Sequence, residues 1–486
     1  MLFTNNSPAI NMTMVGFGQA GTRMADVFAG IKKNDGTPVY NCLALNSNDG
    51  DLKGLKNIPA SNQVSLDLGG LGKNPEKAMR ILDENGNAKE KLKQFITERV
   101  RPSDDLVLFF AGLGGGTGTS TIIKAIEEFN DFHNKPIIKE ELIKIQKKTD
   151  PADFKNNLKK YMAQAVKNAE EKSVKIGVVV TLPVREDGPD VLRQVNDFTQ
   201  TIWKLAKDKS KGIAFVIFAD NQKFADEFDS LPDNIKHGLK IDNYRDYSNI
   251  QIRNVIHELN TATTGGGTSV TFDKEDFKRV ILEHQGCLVI NRIEADIQSV
   301  NNEHDIKKMF TDSIKDSLLH EPVQLVEKQE NGELSASKVH HLGLLAVISP
   351  DKKIPSSFMD QSKKAVIEEI PLNGTVFNGY LEEKNNRKAI VYTFFKTEGL
   401  PSRLVKGLVE EYKEYREKQQ KFAFKNSSIE SIAATIEEDD DNFDFDMDIN
   451  LSELGIVLDG ESTKEEVKKD DEHFVDIDAL DFDNID

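Results

Sequence analysis

The chain has 486 residues, 38% of them hydrophobic, which is enough to bury a large core and form two or three structural units. Its two cysteines, Cys42 and Cys287, lie far apart in apolar segments, which excludes a disulfide framework and a cysteine metal site. The net charge of −18 comes from residues 437–486, with 21 acidic residues and three lysines, whereas the remainder has 60 of each sign. The sequence has no signal-peptide pattern and no apolar span of 18 residues, so we expect a cytoplasmic protein without membrane contacts.

Apolar runs in the first half of the chain alternate with helical segments. Residues 12–15 form the first predicted strand, a glycine turn and a helix follow, and a second strand ends at Leu45, which predicts a βαβ unit. Because this alternation continues, we expect an α/β protein with a doubly wound parallel sheet. The further predicted strands are residues 64–66, 106–110, 176–180 and 213–218.

The pattern along the chain predicts five parts. A first α/β domain contains a helical insertion that is rich in Lys and Glu, and a long helix joins this domain to a second, smaller α/β domain. A charged helix and a disordered acidic tail follow, because the tail is too polar to fold by itself. These parts are residues 1–246 with the insertion at 131–175, then 247–264, 265–400, 401–426 and 427–486.

The strongest functional signal is the run AGLGGGTGTS, which directly follows the strand at 106–110 and precedes a helical segment. Its glycines leave backbone N–H groups uncovered at a helix N-terminus, where free donors and the helix dipole favour phosphate. No Lys-Ser or Lys-Thr pair follows, so this is not a Walker A loop. An ordinary αβ turn is the alternative, although such turns need fewer glycines. We therefore predict a phosphate cradle at Gly114, Gly115, Gly116, Thr117, Gly118 and Thr119.

Two more glycine-rich turns flank this loop in the sequence. GFGQAG at residues 16–21 also opens dinucleotide-binding domains, but a dehydrogenase needs an acid directly after the second strand. Here Asn46 follows that strand, and the dehydrogenase pattern has no second phosphate loop. The other turn is GGLGKNPE at residues 69–76.

Together these loops resemble the signature loops of the tubulin/FtsZ superfamily, and the resemblance covers roughly residues 12–425. It implies that the chain binds GTP and GDP, with Mg²⁺ accompanying the nucleotide and no metal site of its own. Residues 69–76 resemble the GAGGNPE segment of FtsZ, which faces the terminal phosphate. The nucleotide contacts implied in these turns are Gly18, Gln19, Ala20, Asn46, Gly70, Gly72 and Asn74.

The resemblance also assigns residues to the ribose and the base. Asp187 and the glycine after it match the acid-glycine pair that FtsZ places near the ribose. The arginine that approaches the phosphates in the family corresponds to Arg193 or Arg185. Asn221 has the donor and acceptor to read a guanine edge, and Asn249 supplies a second amide. A turn cap at the end of a strand is the alternative role for Asn221.

None of these loops contains a residue that would activate water. Asp273 and Asp276, in VTFDKEDF, resemble the synergy loop of FtsZ, with Thr271 in place of its asparagine. In that family these acids enter the nucleotide site of the next subunit, so the resemblance implies catalysis at a head-to-tail contact that propagates into a filament. Asp273 also suits a helix N-cap, and the two roles are compatible.

Within the superfamily, several segments are closer to the TubZ-type plasmid and phage tubulins than to FtsZ. They are YSN at residues 247–249, HELN at 257–260 and FKTEGLP at 395–401. This similarity implies a filament that segregates or positions plasmid or phage DNA through a basic adaptor of the TubR type. We expect no direct DNA binding, because the acidic tail repels DNA. The tail alternates acidic and apolar residues, a pattern that suits docking on a neighbouring subunit. The alternative is an unstructured acidic segment that only increases solubility.

Two other functions stay open at this stage. The first is a cell-division filament like FtsZ, against which the long acidic tail counts. The second is a nucleotide-dependent binding module that does not polymerise, for which Asp273 would be irrelevant to hydrolysis.

Overall fold

The computed structural model describes residues 6–421, except Pro102, residues 264–270, 329–333, Lys353 and residues 384–386. The predicted tail at 427–486 and the end of the predicted helix 401–426 lie outside the described residues. The strands are β1 (Met12–Phe17), β2 (Asn41–Asn46), β3 (Gln63–Ser65), β4 (Leu106–Gly112), β5 (Lys175–Leu182), β6 (Ile213–Asp220), β7 (Cys287–Asp296), β8 (Val326–Lys328), β9 (Leu334–Ala336), β10 (Val339–Ile348), β11 (Val376–Glu382) and β12 (Lys388–Thr397).

The helices alternate with the strands through most of the chain. They are α1 (Gly18–Ala29), α2 (Asp49–Leu52), α3 (Pro75–Glu84), α4 (Gly86–Arg99), α5 (Gly116–Phe129), α6 (Lys135–Gln146), α7 (Pro151–Asn156), α8 (Leu158–Ala169), α9 (Pro189–Lys207), α10 (Asn221–Ser230), α11 (Asp233–Leu239), α12 (Tyr244–Ala262), α13 (Lys274–Leu282), α14 (Glu303–Ser313), α15 (Phe358–Glu369) and α16 (Leu408–Lys421).

Ten strands form one sheet in the order β11-β10-β12-β7-β6-β5-β4-β1-β2-β3. The strands β1 to β6 are all parallel, as predicted. The second half differs, because β12 pairs antiparallel with both β7 and β10. A single parallel pair, Val216 with Cys287, joins the two halves. The described chain is therefore one α/β structure built on one continuous mixed sheet.

Both faces of the parallel half are covered by helices, which is why its strands are almost entirely apolar. Alternate residues of β4 point to opposite faces and enter two separate apolar clusters. One cluster contains side chains of α3, α4, α5 and α9, and the other contains side chains of α1, α10, α12 and α13. This arrangement confirms the predicted doubly wound α/β fold.

Three helical segments complete the description. The long helix α12 begins three residues before the predicted position, because the side chain of Asn243 accepts a hydrogen bond from the Asp246 N–H and caps it. The segment 131–175 is helical and packs around its own small cluster of Ile138, Leu142, Phe154, Met162 and Ala165. The helix α16 packs along α9. No helix among the described residues is long and apolar enough to span a bilayer.

Candidate functional site

A cleft of about 380 Å³ opens at the edge of the sheet where the parallel strands end. In open α/β sheets this edge is where ligands bind. Loops that follow β1 to β6 and the first turn of α12 line the cleft. Of the predicted contacts, the lining includes Gln19, Ala20, Asn46, Gly70, Gly72, Gly114, Gly115, Gly116, Thr117, Gly118, Asp187 and Asn221.

The glycine loop between β4 and α5 forms the floor of the cleft. The N-cap residue of α5 is Gly115, which offers no side chain to the free N–H groups of the first turn. These donors and the positive end of the helix dipole favour an anion at this point. A Cβ atom on Gly116 would lie 2.5 Å from the carbonyl oxygen of Gly72, so only glycine fits there. The sequence therefore places a backbone-built anion cradle in the cleft.

The first glycine turn packs directly against this loop. Gly18 has φ +66°, and a Cβ atom on it would lie 2.6 Å from the backbone nitrogen of Gly118. Gly18 thus brings the two loops into contact, while its neighbours Gln19 and Ala20 line the cleft. Thr119 is buried, and its hydroxyl donates to the carbonyl of Gly115 at 2.7 Å, which braces the loop from within.

Asp51 is a cleft residue that the sequence analysis missed. Its carboxylate accepts hydrogen bonds from the amides of Gln19 at 3.1 Å and Asn46 at 2.9 Å. These bonds orient two of the predicted contacts toward the cleft. The available signal was an acid five residues after the second strand, in the short helix α2.

The third glycine-rich turn closes the cleft above the cradle. The carbonyl of Gly72 accepts a hydrogen bond from the Gly116 N–H at 3.1 Å, and Lys73 pairs with Asp187 at 3.0 Å. Asn74 is not in the lining, because its side chain caps α3 by accepting from the Lys77 N–H at 2.8 Å.

Asn221, after β6, and the first two residues of α12, Tyr244 and Arg245, complete the lining of the cleft. The side-chain oxygen of Asn221 accepts a hydrogen bond from the Ser248 hydroxyl at 3.2 Å, which leaves its amide N–H groups available. Asn249 is buried in α12 and is not in the lining.

Neither arginine expected near the phosphates is among the described lining residues of the cleft. Arg193 faces Asp197 at 3.6 Å on α9, and Arg185 pairs with Glu411 of α16 at 3.2 Å. Among the described lining residues the arginine is Arg245, which directly follows the first residue of α12. The sequence could have indicated Arg245, because it lies in the first turn of the helix that carries Asn249, which was predicted to contact the base.

A buried arginine supports the cleft from behind. Arg403 donates to the carbonyl of Pro183 at 2.8 Å, to the carboxylate of Asp220, and to both carboxylate oxygens of Glu411 at 3.0 Å. Pro183 and the residue after Asp220 both line the cleft. Burial raises the pKa of Asp220, and the Arg403 guanidinium opposes this shift. The start of the C-terminal helix is thus fixed to two cleft loops.

Asp273 and Asp276 do not belong to this cleft in the folded chain. Asp273 caps α13, accepting from the N–H groups of Glu275 and Asp276 at 2.9 Å each. One turn further, Lys278 binds Asp105 at 2.9 Å, and Asp105 immediately precedes β4. The cleft lies at the C-terminal end of β4, whereas Asp105 lies at its N-terminal end. At about 3.3 Å per residue of strand, the two ends of β4 are about 20 Å apart. The two acids therefore lie at the edge of the sheet opposite the cleft. Burial raises the pKa of Asp276, and the Asp273 charge adds to this shift.

A larger cavity of about 600 Å³ also lies at that opposite edge. Its lining mixes lysines and glutamates with His284 and His340 and contains no glycine-rich helix start. The smaller cleft is the candidate anion site because uncovered N–H groups, rather than volume, select phosphate.

A nearby cluster of Glu283, His284 and His341 has the spacing of a metal site. However, Nδ1 of His341 accepts from the Thr375 N–H at 3.1 Å, so its proton is on Nε2 and is donated to Glu283 at 3.1 Å. A metal ion would need the lone pair of that nitrogen, so these residues fit a hydrogen-bonded pair instead.

Comparison with known proteins gives consistent matches. No family model matches the chain. The Bacillus thuringiensis subsp. israelensis tubulin-like protein TubZ is 24% identical over 316 residues, which span 61% of this chain and 58% of that protein. The tubulin-like protein CetZ3 of Haloferax volcanii is 27% identical over 135 residues, or 26% of this chain and 34% of that protein. The aligned part is therefore less than two thirds of either relative.

Solved structures match over most of the chain. The crystal structure of a GTPγS-form protofilament of Bacillus thuringiensis serovar israelensis TubZ has a TM-score of 0.62 at 20% identity, covering 86% of this chain and 94% of that one. A structure of a type III plasmid segregation TubZ has a TM-score of 0.57 at 20% identity, covering 86% and 95%. The fold is that of the tubulin-like proteins. In sequence the chain is similar to the tubulin-like proteins TubZ and CetZ.

Proposed function

We propose that the chain binds and hydrolyses GTP and assembles head to tail into filaments, in which each active site is completed by the next subunit. The observation that supports this most directly is the separation of the two halves of the machinery. The phosphate cradle lies at one edge of the sheet, and Asp273 and Asp276 lie at the other. Translational stacking of subunits brings these two edges together, and such a heterologous contact repeats indefinitely.

The composition of the cleft supports a guanine nucleotide. The cradle of residues 114–118 suits phosphates, Asp187 lies in the lining where it could reach the ribose once Lys73 leaves it, and the amide of Asn221 can donate to a guanine carbonyl. The neighbouring TubZ structure is a GTPγS form. Mg²⁺ would be held mainly by the phosphates themselves, because Asp51 is already engaged by two amides.

The division of labour follows from this arrangement. We assign nucleotide binding to residues 1–246 and the contribution to the next subunit's site to residues 265–400, with α12 as the connection. Asp273 would orient or deprotonate the attacking water in the neighbouring site, a role suited to a carboxylate. Its N-cap bonds hold the carboxylate at the end of α13.

Sedimentation tests the filament directly. The protein should pellet with GTP or GTPγS and remain in the supernatant with GDP, and turnover per subunit should rise with protein concentration. Turnover that is independent of concentration, together with no pellet, would identify a nucleotide-dependent module that acts as a single subunit.

For the cellular role, we propose a cytoplasmic filament that segregates or positions plasmid or phage DNA through a basic adaptor. The similarity of the fold to the structure of a type III plasmid segregation TubZ supports this role. The acidic residues at 437–486 disfavour direct contact with DNA. In gel-shift assays the chain alone should leave DNA unshifted, and a small basic DNA-binding protein encoded beside it should recruit it to its sites. Direct binding of the chain to DNA at physiological salt would contradict this role.

A further inference from the structure

Lys73 occupies a special position beside the phosphate cradle. The residue before it, Gly72, accepts a hydrogen bond from the N–H of Gly116, the first residue of α5. Adjacent Cα atoms are about 3.8 Å apart, so the backbone of Lys73 is held within one peptide of the cradle. Gly69 and Gly72 have φ values of +67° and +61°, which shape the turn that brings the lysine there.

Lys73 also supplies a charge that the glycine loop lacks. This loop has no lysine of the Walker type, so its own donors are backbone N–H groups. The cations among the described lining residues are Lys73 and Arg245. The guanidinium of Arg245, in the first turn of α12, lies over the ring of Tyr244, 4.7 Å from its centroid. Lys73 is the lining cation whose turn is hydrogen-bonded to the cradle, through Gly72.

The partner of Lys73 in the structure is easily exchanged. Its ammonium pairs with Asp187 at 3.0 Å, and the lysine side chain is 61% exposed. An exposed pair of this kind contributes little free energy, because water screens it and a long side chain must be immobilised. A phosphate that carries more than one negative charge is a stronger partner for an ammonium group.

We propose that Lys73 binds the terminal phosphate of a nucleoside triphosphate and leaves Asp187 when it does so. This inference rests on the nucleotide binding proposed above and goes beyond it, since it names the residue that distinguishes triphosphate from diphosphate. With a diphosphate, Lys73 stays on Asp187. With a triphosphate, Asp187 is released and its carboxylate becomes available to the ribose, so that phosphate and ribose contacts are formed together.

Equilibrium binding of GTPγS and GDP to the full-length chain tests this inference. Measurements at a protein concentration below assembly, with the same Mg²⁺, give the ratio of the two affinities. In Lys73→Ala the preference for GTPγS over GDP should fall by about tenfold, as expected for one charge-assisted hydrogen bond, through weaker GTPγS binding. Lys73→Arg should keep most of the preference. Lys77→Ala, which removes an exposed lysine from the first turn of α3, should leave the preference unchanged within about twofold.

The outcomes separate the two proposals. GDP binding that is no weaker in Lys73→Ala shows that the cleft is intact, so an unchanged preference for GTPγS in this variant would overturn the role of Lys73 while nucleotide binding stands. An equal loss for both nucleotides would likewise overturn it, because it would indicate a general effect on the turn. If the unmodified chain binds neither nucleotide, the proposed function itself fails and this inference fails with it.

Discussion

The two edges of the parallel sheet differ in the chemical groups that they expose. At the edge where the strands end, the cleft is made of glycines and backbone N–H groups, and few of its side chains carry charge. At the edge where the strands begin, carboxylates, lysines and histidines predominate, including Asp273, Asp105 and Lys278. Backbone donors are well suited to holding a phosphate without any change in protonation. Carboxylates are suited to moving a proton, which the backbone cannot do.

This contrast indicates why one subunit would be an incomplete catalyst. The edge with the cleft contains Asp51 and Asp187 as its described acidic lining residues, and both are engaged in hydrogen bonds. The acids that could act on water lie about 20 Å away. The predictions below alter one edge, the support beneath the cleft, or the helix between the two edges.

The largest effect is expected at the edge that carries the acids. Asp273→Asn should lower GTP turnover of assembled protein by about 100-fold or more, because an amide cannot accept a proton from water. Asparagine caps helices as well as aspartate does, so α13 should remain folded. Polymer should persist after GTP addition, which light scattering with a phosphate-release assay would reveal.

Glu275→Gln is the matched control, since it removes a charge from the same helical turn without touching the cap. It should retain turnover within a few fold, in line with a charge that only biases the helix dipole. Normal turnover by Asp273→Asn would break the comparison between the edges, because the second edge would then contribute nothing to the chemistry.

The support beneath the cleft should show the largest effect on stability. Arg403→Met leaves Asp220 and Glu411 buried without their shared partner, so we expect a loss of about 3–5 kcal/mol in unfolding free energy. Urea unfolding can be followed through Trp203, the single tryptophan, which lies on α9 against which α16 packs.

Arg185→Met is a matched control because it removes the other arginine that binds Glu411. The side chain of Arg185 is 59% exposed, compared with 5% for Arg403. Its loss should cost about 0–1 kcal/mol, as for exposed ion pairs. Equal shifts of the urea midpoint in the two variants would show that Arg403 is not the main attachment of α16.

How far the sequence predicted the molecule depends on whether a feature is local. The cradle at 114–118 was predictable, because a strand, a glycine run and a helix stand next to each other in the chain. Asp51 and Arg245 were missed because their roles arise from neighbours that the fold supplies. Arg403 was missed for the same reason. Its partner Asp220 is 183 residues away along the chain, and its partner Pro183 is 220 residues away.

The role of the glycine loop in the cleft can be tested by adding a single methyl group to it. In Gly116→Ala the new Cβ would lie 2.5 Å from the carbonyl oxygen of Gly72, so the loop or the turn above it must shift. Displacing about two N–H donors from an anion should weaken nucleotide binding by about 100-fold. Gly86→Ala, where a Cβ atom meets open space at the start of α4, should bind normally. Normal binding by Gly116→Ala would indicate that side chains, not the loop backbone, hold the nucleotide.

The smallest effect concerns α12, the helix between the two edges. Burial, with a contribution from the Arg253 charge, lowers the pKa of His257 to about 4, and its Nδ1 lies 3.0 Å from the Tyr40 hydroxyl. In the unfolded chain a histidine titrates near 6.5, so below that pH the unfolded state takes up a proton that the folded state does not. The stabilising contribution is therefore complete above about pH 6.5 and is lost as the pH falls toward 4. Between pH 7.5 and 5.5 this amounts to about 1 kcal/mol.

Urea midpoints of His257→Gln at these two pH values should differ by correspondingly less than those of the unmodified protein. His304→Gln, at an exposed position in α14, should keep the full pH dependence. If His257→Gln shows the same pH dependence as the unmodified chain, then α12 opens enough in the folded state for this ring to be protonated. In that case the folded and unfolded states would bind this proton equally, and His257 would contribute nothing to the pH dependence of stability.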